Sequence, residues 1–295
     1  MHNRLNMIGP WLRRRLGTKV SKIGLNLNLG CPIEQMGQRC LYCSPLASGK
    51  SGEPGSISRQ LHPITCKGQN ERLWLAYFQA HTSTNASASY LRPYFYEAAF
   101  YPGIRGIIIS TRPDCLSHEH WRLLAELRRQ GLLCWLELGL QSAHDHTLEL
   151  IGRGHNVRCF AQALRSAQDL DIPVVAHVIL GLPGEDIRHT NFTASWLAEQ
   201  NIWGVKLHSL MVLKDTGLEK MWREGRFIPW TLEQWISACA AFVSRLPDSV
   251  TIHRLSADPG PEQCLAPAWI KHKANALNML GNFMEKNNIT QGREF

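Results

Sequence analysis

A parallel α/β fold is what this sequence predicts, and three observations carry the prediction. Strand-like and helix-like stretches alternate about six times between residues 23 and 210, the pattern of a parallel sheet with helical crossovers. The strands have one aliphatic and one polar face: Leu136, Leu138 and Leu140 alternate with Trp135, Glu137, Gly139 and Gln141, and Val205 and Leu207 with Lys206 and His208. In a barrel one face meets the helices and the other lines the interior. The interior here is therefore polar, unlike the Val, Ile and Leu filling of an ordinary eight-stranded barrel. After Asp215 the alternation stops, and six strands suit a partial barrel, open on one side.

The elements follow in order. Residues 1–22 form a basic arm with Arg4, Arg13, Arg14, Arg15 and Lys19, read as a short helix or wrapping segment. Ile23, Leu25, Leu27 and Leu29 then alternate with Gly24, Asn26, Asn28 and Gly30, a period-two strand. Ser44 to Gly55 is a loop rich in Ser, Gly and Pro, and His62-Pro63 keeps any helix there short. Strands two to six are expected over Leu73 to Gln79, Gly106 to Thr111, Leu133 to Gln141, Val174 to Leu180 and Gly204 to Leu210. Helices are expected over Tyr90 to Ala99, Ser117 to Gln130, Val157 to Leu170 and Thr190 to Gln200, with Ser117 as an N-cap and Gly131 as a stop. Beyond Asp215, Thr231 caps a helix reaching Leu246, Val250 to Arg254 offers a seventh strand, and Pro259, Pro261 and Pro267 mark a loop. Ala268 to Lys286 reads as a basic final helix. The expected organisation is an arm at 1–22, a barrel at 23–215 and a C-terminal extension at 216–295 that covers the barrel.

Composition narrows the classes. A 44% hydrophobic content over 295 residues gives a chain able to bury a full core. It has no apolar run of about 18 residues, so no transmembrane helix is expected, and its basic start is not built as a secretory signal. Nine cysteines without framework spacing suit a reducing cytoplasm. The net charge of +8 is compatible with a nucleic-acid substrate but is also found on ordinary proteins.

Three of those cysteines stand together at the end of the first strand, in Cys31-Pro-Ile-Glu-Gln-Met-Gly-Gln-Arg-Cys40-Leu-Tyr-Cys43. Three thiolates can hold three irons of a [4Fe–4S] cluster and leave the fourth open, as a catalytic site requires. A C-x-x-C pair also suits zinc or a redox dithiol, but zinc wants a fourth ligand and a dithiol leaves Cys31 unexplained. Of the others, Cys134, Cys159 and Cys239 fall in predicted strand or helices and read as core. Cys115 and Cys264 sit where either could reach a site.

These residues resemble the radical S-adenosylmethionine (SAM) superfamily, in which three cysteines follow the first barrel strand and an aromatic residue, here Tyr42, precedes the third. Further segments resemble the branch that includes the elongator-type tRNA enzymes and oxygen-independent coproporphyrinogen dehydrogenase. Within that branch they are most like the YhcC-like bacterial subfamily: YFQAHT at Tyr77, STRPDC at Ser110, WLELGLQSAHD at Trp135, GLPGE at Gly181, KLH at Lys206 and HRLSA at His253. The likeness runs from about Leu25 to Ile289, with a shorter cysteine loop than is usual there. It implies a partial (β/α)6 TIM-like barrel with a helical C-terminal extension. It also implies a [4Fe–4S] cluster on Cys31, Cys40 and Cys43, and SAM as cofactor.

By the same resemblance, Gln141, Arg153 and His177 occupy places that contact SAM in the coproporphyrinogen branch, although that relative has an acid where His177 stands. Ser110, Arg112 and Glu137 at the strand ends are further candidates, and so is Gln79, where relatives carry a glycine-rich motif that is missing here. Read as residues alone, Gln141 could cap a helix, Arg153 could make a surface ion pair, His177 could be a core histidine, and Glu137 could pair with Lys206. The resemblance implies that a reducing partner such as flavodoxin or ferredoxin drives cleavage of SAM to a 5′-deoxyadenosyl radical, which abstracts hydrogen from a substrate, RNA being one candidate. The competing class is a non-catalytic Fe–S or zinc interaction module, and SAM cleavage on reduction separates the two.

Overall fold

A computed structural model describes residues 4–44, 56–66, 73–258 and 263–295. Most of the loop expected at Ser44 to Gly55, and Pro259 and Pro261, lie outside the described residues. The chain opens with α1 (Ile8–Leu16), β1 (Val20–Leu25), the single turn α2 (Pro32–Gln35) and α3 (Ile57–Cys66). Next come β2 (Leu73–Phe78), α4 (Ala88–Ala99), β3 (Ile104–Thr111), α5 (His118–Arg129), β4 (Leu133–Gln141), α6 (Asp145–Leu150), α7 (Val157–Gln168), β5 (Val174–Leu180), α8 (Ile187–Glu199) and β6 (Gly204–Ser209). The C-terminal part holds β7 (Val212–Leu213), α9 (Gly217–Arg223), α10 (Leu232–Ser244), β8 (Thr251–Arg254), β9 (Cys264–Ala266) and α11 (Lys273–Lys286).

The main sheet has the order β1-β2-β3-β4-β5-β6-β8, and every pairing in it is parallel. It curls into an open half-barrel whose six strand–helix repeats are the expected ones, and β8 adds the seventh strand. A small antiparallel pair, β7 with β9, stands apart. Helix starts follow local rules: Ser87 accepts a hydrogen bond from the Tyr90 backbone N–H, and Thr231 and Gln234 cap each other at the start of α10, contacts worth about 1 kcal/mol each.

The aliphatic strand faces do meet the helices. Ile107, Ile109, Leu136, Leu138, Val178 and Leu207 belong to one core with Leu91, Phe95, Leu123, Phe160 and Leu197 from the surrounding helices. Each such buried side chain contributes roughly 1.5–3 kcal/mol. The opposite faces converge in the interior. Their lower layer, Leu75, Tyr77, Ile108, Trp135 and Val175, is closed by Ile8 and Leu12 of α1. Met7 pairs with Ile252 beside β8, so α1 bridges towards both edges of the open sheet. Part of the basic arm is thus a plug, with Arg13, Arg14 and Arg15 left on its exposed side.

The structure corrects two element boundaries. The first strand, expected over Ile23 to Gly30, runs from Val20 to Leu25. The Gln60 side chain takes the place of a neighbouring strand at Asn26, accepting from its N–H at 2.8 Å and donating to its carbonyl at 2.9 Å. Asn28 then adopts a left-handed φ of 55°, favoured for Asn, and its N–H donates to Asn26 Oδ1 at 2.8 Å. The alternation of Leu27 and Leu29 therefore continues in loop. The final helix, expected from Ala268, begins as a tight turn at Ala268–His272 and becomes α-helical only from Lys273.

Candidate active site

The cysteine loop leaves the C-terminal end of β1 and is held from two directions. The Leu41 N–H donates to the Ile151 carbonyl at 2.9 Å, and the Leu41 carbonyl accepts from the Leu218 N–H at 2.8 Å. Cys40 Sγ sits 3.4 Å from the Gly152 carbonyl. Gly154, at φ +77°, lets Ile33 approach: a Cβ there would stand 2.7 Å from Ile33 Cδ1. The segment Ile151–Gly154 thus serves as the bed of the loop.

Cys31, Cys40 and Cys43 line one cavity of about 160 Å³ together with Arg112, Gly139, Gln141 and Arg153. Burial, with the charges of Cys40 and Cys31, pushes the Cys43 thiol up to about 11, so three thiolates side by side require a cationic centre. Among the described residues no three His, Cys, Asp or Glu side chains are grouped to hold a single metal ion. A cubane, which takes its thiolates at separate irons, fits three sulfurs on one wall of a cavity.

Two arginines complete that wall. Arg112 donates to Asp114 at 2.9 and 2.8 Å and to the Arg153 carbonyl at 2.8 Å. Arg153 Nη2 donates to the Gly139 carbonyl at 3.0 Å. Arg112 Nη1 and Arg153 Nε are buried and have no hydrogen-bond partner among the described residues. Buried donors of that kind call for an acceptor, such as an anionic group of a bound ligand. Gln141 ends β4 at φ 75°, a left-handed conformation that costs a non-glycine residue about 1 kcal/mol or more.

A larger cavity of about 330 Å³ adjoins the first. Tyr42, Cys43, His81, Ser110, Gln141 and His177 line both. Beneath them lies Glu137, fully buried. Its Oε2 accepts from Tyr77 Oη at 2.6 Å, His177 Nε2 at 2.6 Å and Lys206 Nζ at 2.7 Å. Its Oε1 accepts from Trp135 Nε1 at 3.1 Å and faces Lys22 Nζ at 3.7 Å. Burial alone would raise the Glu137 carboxyl, but Lys206, Lys22 and His177 overcome it and hold it well below the usual range. Burial lowers Lys206 to about 8, and burial with Lys206 lowers His177 to about 4. His177 is therefore neutral at pH 7, and its bond to an ionised carboxylate places the proton on Nε2 and leaves Nδ1 an acceptor.

The structure thus brings Ser110, Gln141 and His177 onto both cavities and Arg153 onto the cysteine side, while Gln79 lines the larger cavity alone. Glu137 lines neither cavity and holds His177 and Lys206 from below. Cys115 and Cys264 also line neither; Cys264 is buried beside Leu213 and Ile270. Sequence reasoning passed over Lys22, Tyr77 and His81. Lys22 fell in the arm, but its place one residue before the alternating run was a signal, since the sheet puts it opposite Leu75 on β2.

Comparison with known proteins shows the family. Residues 37–197 match the model of the radical SAM superfamily and residues 202–286 that of the radical SAM C-terminal domain; Cys40 and Cys43 fall inside the first match and Cys31 just before it. The chain belongs to the radical SAM superfamily and is an enzyme of that class. It is 34% identical over 290 residues to protein YhcC of Escherichia coli K12, covering 97% of this chain and 94% of that one. It is 33% identical over 296 residues to protein MJ0486 of Methanocaldococcus jannaschii, covering 97% and 91%. Among solved structures, Elp3 of Methanocaldococcus infernus shares the fold at a TM-score of 0.70 and 18% identity, covering 93% of this chain and 64% of that one. The superfamily implies a [4Fe–4S] cluster and SAM. No helix among the described residues is long and apolar enough to cross a membrane.

Proposed function

We propose that Cys31, Cys40 and Cys43 hold the cluster, that Gln141 and Arg153 bind SAM beside it, and that the larger cavity receives the substrate. The observation that carries this reading is the shared wall. Six residues line both cavities, so a reactive group generated on the cysteine side lies next to a substrate held in the other. Bound together, a reduced cluster and SAM supply an organic radical that abstracts hydrogen.

The chain's own residues position and exclude. Arg153 and Arg112 offer the carboxylate of SAM two buried N–H donors that lack partners among the described residues. Gln141 presents its amide at a turn that the backbone holds under strain. His177, fixed through Nε2 by Glu137, stands on the wall of both cavities with Nδ1 left as an acceptor. Tyr42, half-buried before Cys43, packs against the apolar cluster of Leu148, Ile151 and Ile179 and forms part of the shared wall.

A reducing protein such as flavodoxin or ferredoxin supplies the electron, and the cytoplasm suits the three free thiols of the loop. A small molecule is the substrate that a 330 Å³ cavity fits. RNA is the weaker reading, because the exposed basic run Arg13–Arg15 lies on the plug at the opposite end of the barrel from the cavities. Anaerobic reconstitution followed by dithionite reduction with SAM tests the reading: methionine and 5′-deoxyadenosine form if it holds, and neither forms if it fails.

A further inference from the structure

Two cavities meet at Arg254. The larger site cavity has Lys206, Arg254 and Asp258 on its wall. A neighbouring one, of about 390 Å³, is lined by Met7, His253, Arg254, Asp258, Lys273 and Leu277. Arg254 ends β8, an edge strand of the open sheet. The guanidinium therefore stands between the open side of the half-barrel and the interior above Glu137.

Among the described residues the charges along this passage do not balance: Lys206, Arg254 and Lys273 on its walls, with Lys22 behind Glu137, share the two carboxylates of Glu137 and Asp258. Glu137 faces Lys206 at 2.7 Å and Lys22 at 3.7 Å, while Asp258 meets Lys273 at 2.7 Å and Arg254 only at 4.0 Å. The Arg254–Asp258 separation exceeds a hydrogen bond, and Asp258 is 61% exposed, so water screens that contact. His177, His208 and His253, lowered by burial, are neutral and add nothing to the surplus. A partly buried guanidinium is unfavourable unless an anion pairs with it, and its planar fork matches carboxylate or phosphate.

We propose that the substrate carries a carboxylate or phosphate group, and that Arg254 receives this group at a side entrance, with Lys273 outside it and Lys206 within. The proposal rests on the reading that the 330 Å³ cavity is the substrate site. SAM does not account for the surplus, since its carboxylate has Arg112 and Arg153 in the other cavity.

The test uses reconstituted holoenzyme saturated with SAM under anaerobic conditions. Inorganic phosphate and acetate are titrated separately by calorimetry, with chloride holding ionic strength constant. Wild type should bind at least one of them saturably. Arg254→Gln should weaken that binding about tenfold, Arg254→Lys should restore part of it, Lys273→Gln should weaken it a few-fold, and the exposed Arg158→Gln should change nothing. Binding of one anion alone supports the proposal and names the group. Absence of saturable binding to both in wild type overturns it, as does unchanged affinity in Arg254→Gln of normal iron content. If Arg254→Gln does not fold, unchanged affinity in Lys273→Gln overturns it instead. SAM cleavage by the wild type is measured separately: anion binding without cleavage would count against the proposed function and leave the anion site standing.

Discussion

His177 Nε2 lies 2.6 Å from Glu137 Oε2, and the two side chains reach each other from neighbouring strands in the centre of the half-barrel. One carboxylate thereby fixes a histidine that lines both cavities and, at the same time, two lysines that line or underlie the larger one. Removing its charge should be costly. Glu137→Gln leaves the buried Lys206 without a counterion, an expected loss of about 3–5 kcal/mol, read as a lower urea midpoint; Lys22, partly open to solvent, adds little to it. Adding Lys206→Met should recover part of it, because the neutral pair no longer buries an orphan charge. A full-strength Glu137→Gln protein would contradict the network.

The same histidine sets a pH dependence. His177 ordinarily takes a proton near 6.5 but in the fold only near 4. The unfolded chain therefore binds the extra proton between those values, and stability falls as pH drops through that window, by about 1.4 kcal/mol per pH unit for one group. Glu137 acts in the same direction at lower pH, since its ion pairs are intact above its ordinary value of 4.5 and are lost as pH falls below its depressed one. Urea midpoints at pH 7.0, 5.5 and 4.5 should decline in wild type and decline less in His177→Gln. Equal slopes in the two proteins would show that His177 is not held neutral.

Gly139→Ala should loosen SAM without touching the cysteines. A Cβ at Gly139 would stand 2.5 Å from Arg153 Nη2 and 2.7 Å from Gln141 Nε2, so both side chains must move. SAM affinity measured by calorimetry should drop about tenfold or more while iron content holds. Gln141→Ala and Arg153→Ala should each weaken binding by ~0.5–3 kcal/mol through one lost hydrogen-bonding group. Unchanged affinity in all three would remove SAM from this wall.

Much of the fold was legible because its strands are simple. β4 and β5 stand at the residues expected, Leu133–Gln141 and Val174–Leu180, since each packs a regular apolar face on helices. β1 was misread because Leu27 and Leu29 prolong the alternation past Leu25, while what ends the strand is Gln60, 34 residues away. β7 and β9, of two and three residues, are too short for periodicity to register. Of the residues that line the two cavities, the cysteines could be named from their spacing and Gln141, Arg153 and His177 from the family resemblance. That Glu137 works from beneath, and that Lys22 reaches it from β1, depends on how strands far apart in sequence curl towards one another.

Cys31→Ala, Cys40→Ala and Cys43→Ala combined should abolish iron binding, whereas Cys115→Ala should retain it, since Cys115 lines neither cavity. Iron content and the visible absorption of the reconstituted proteins check both statements.

The central claim is that one wall joins a cluster-and-SAM chamber to a substrate chamber in a working enzyme. Reductive cleavage of SAM by the reconstituted wild type tests it most directly. The expected result is methionine and 5′-deoxyadenosine in equal amounts, dependent on dithionite and absent from the triple cysteine variant. A protein that holds a full [4Fe–4S] cluster and binds SAM, yet releases neither product on reduction, would contradict it.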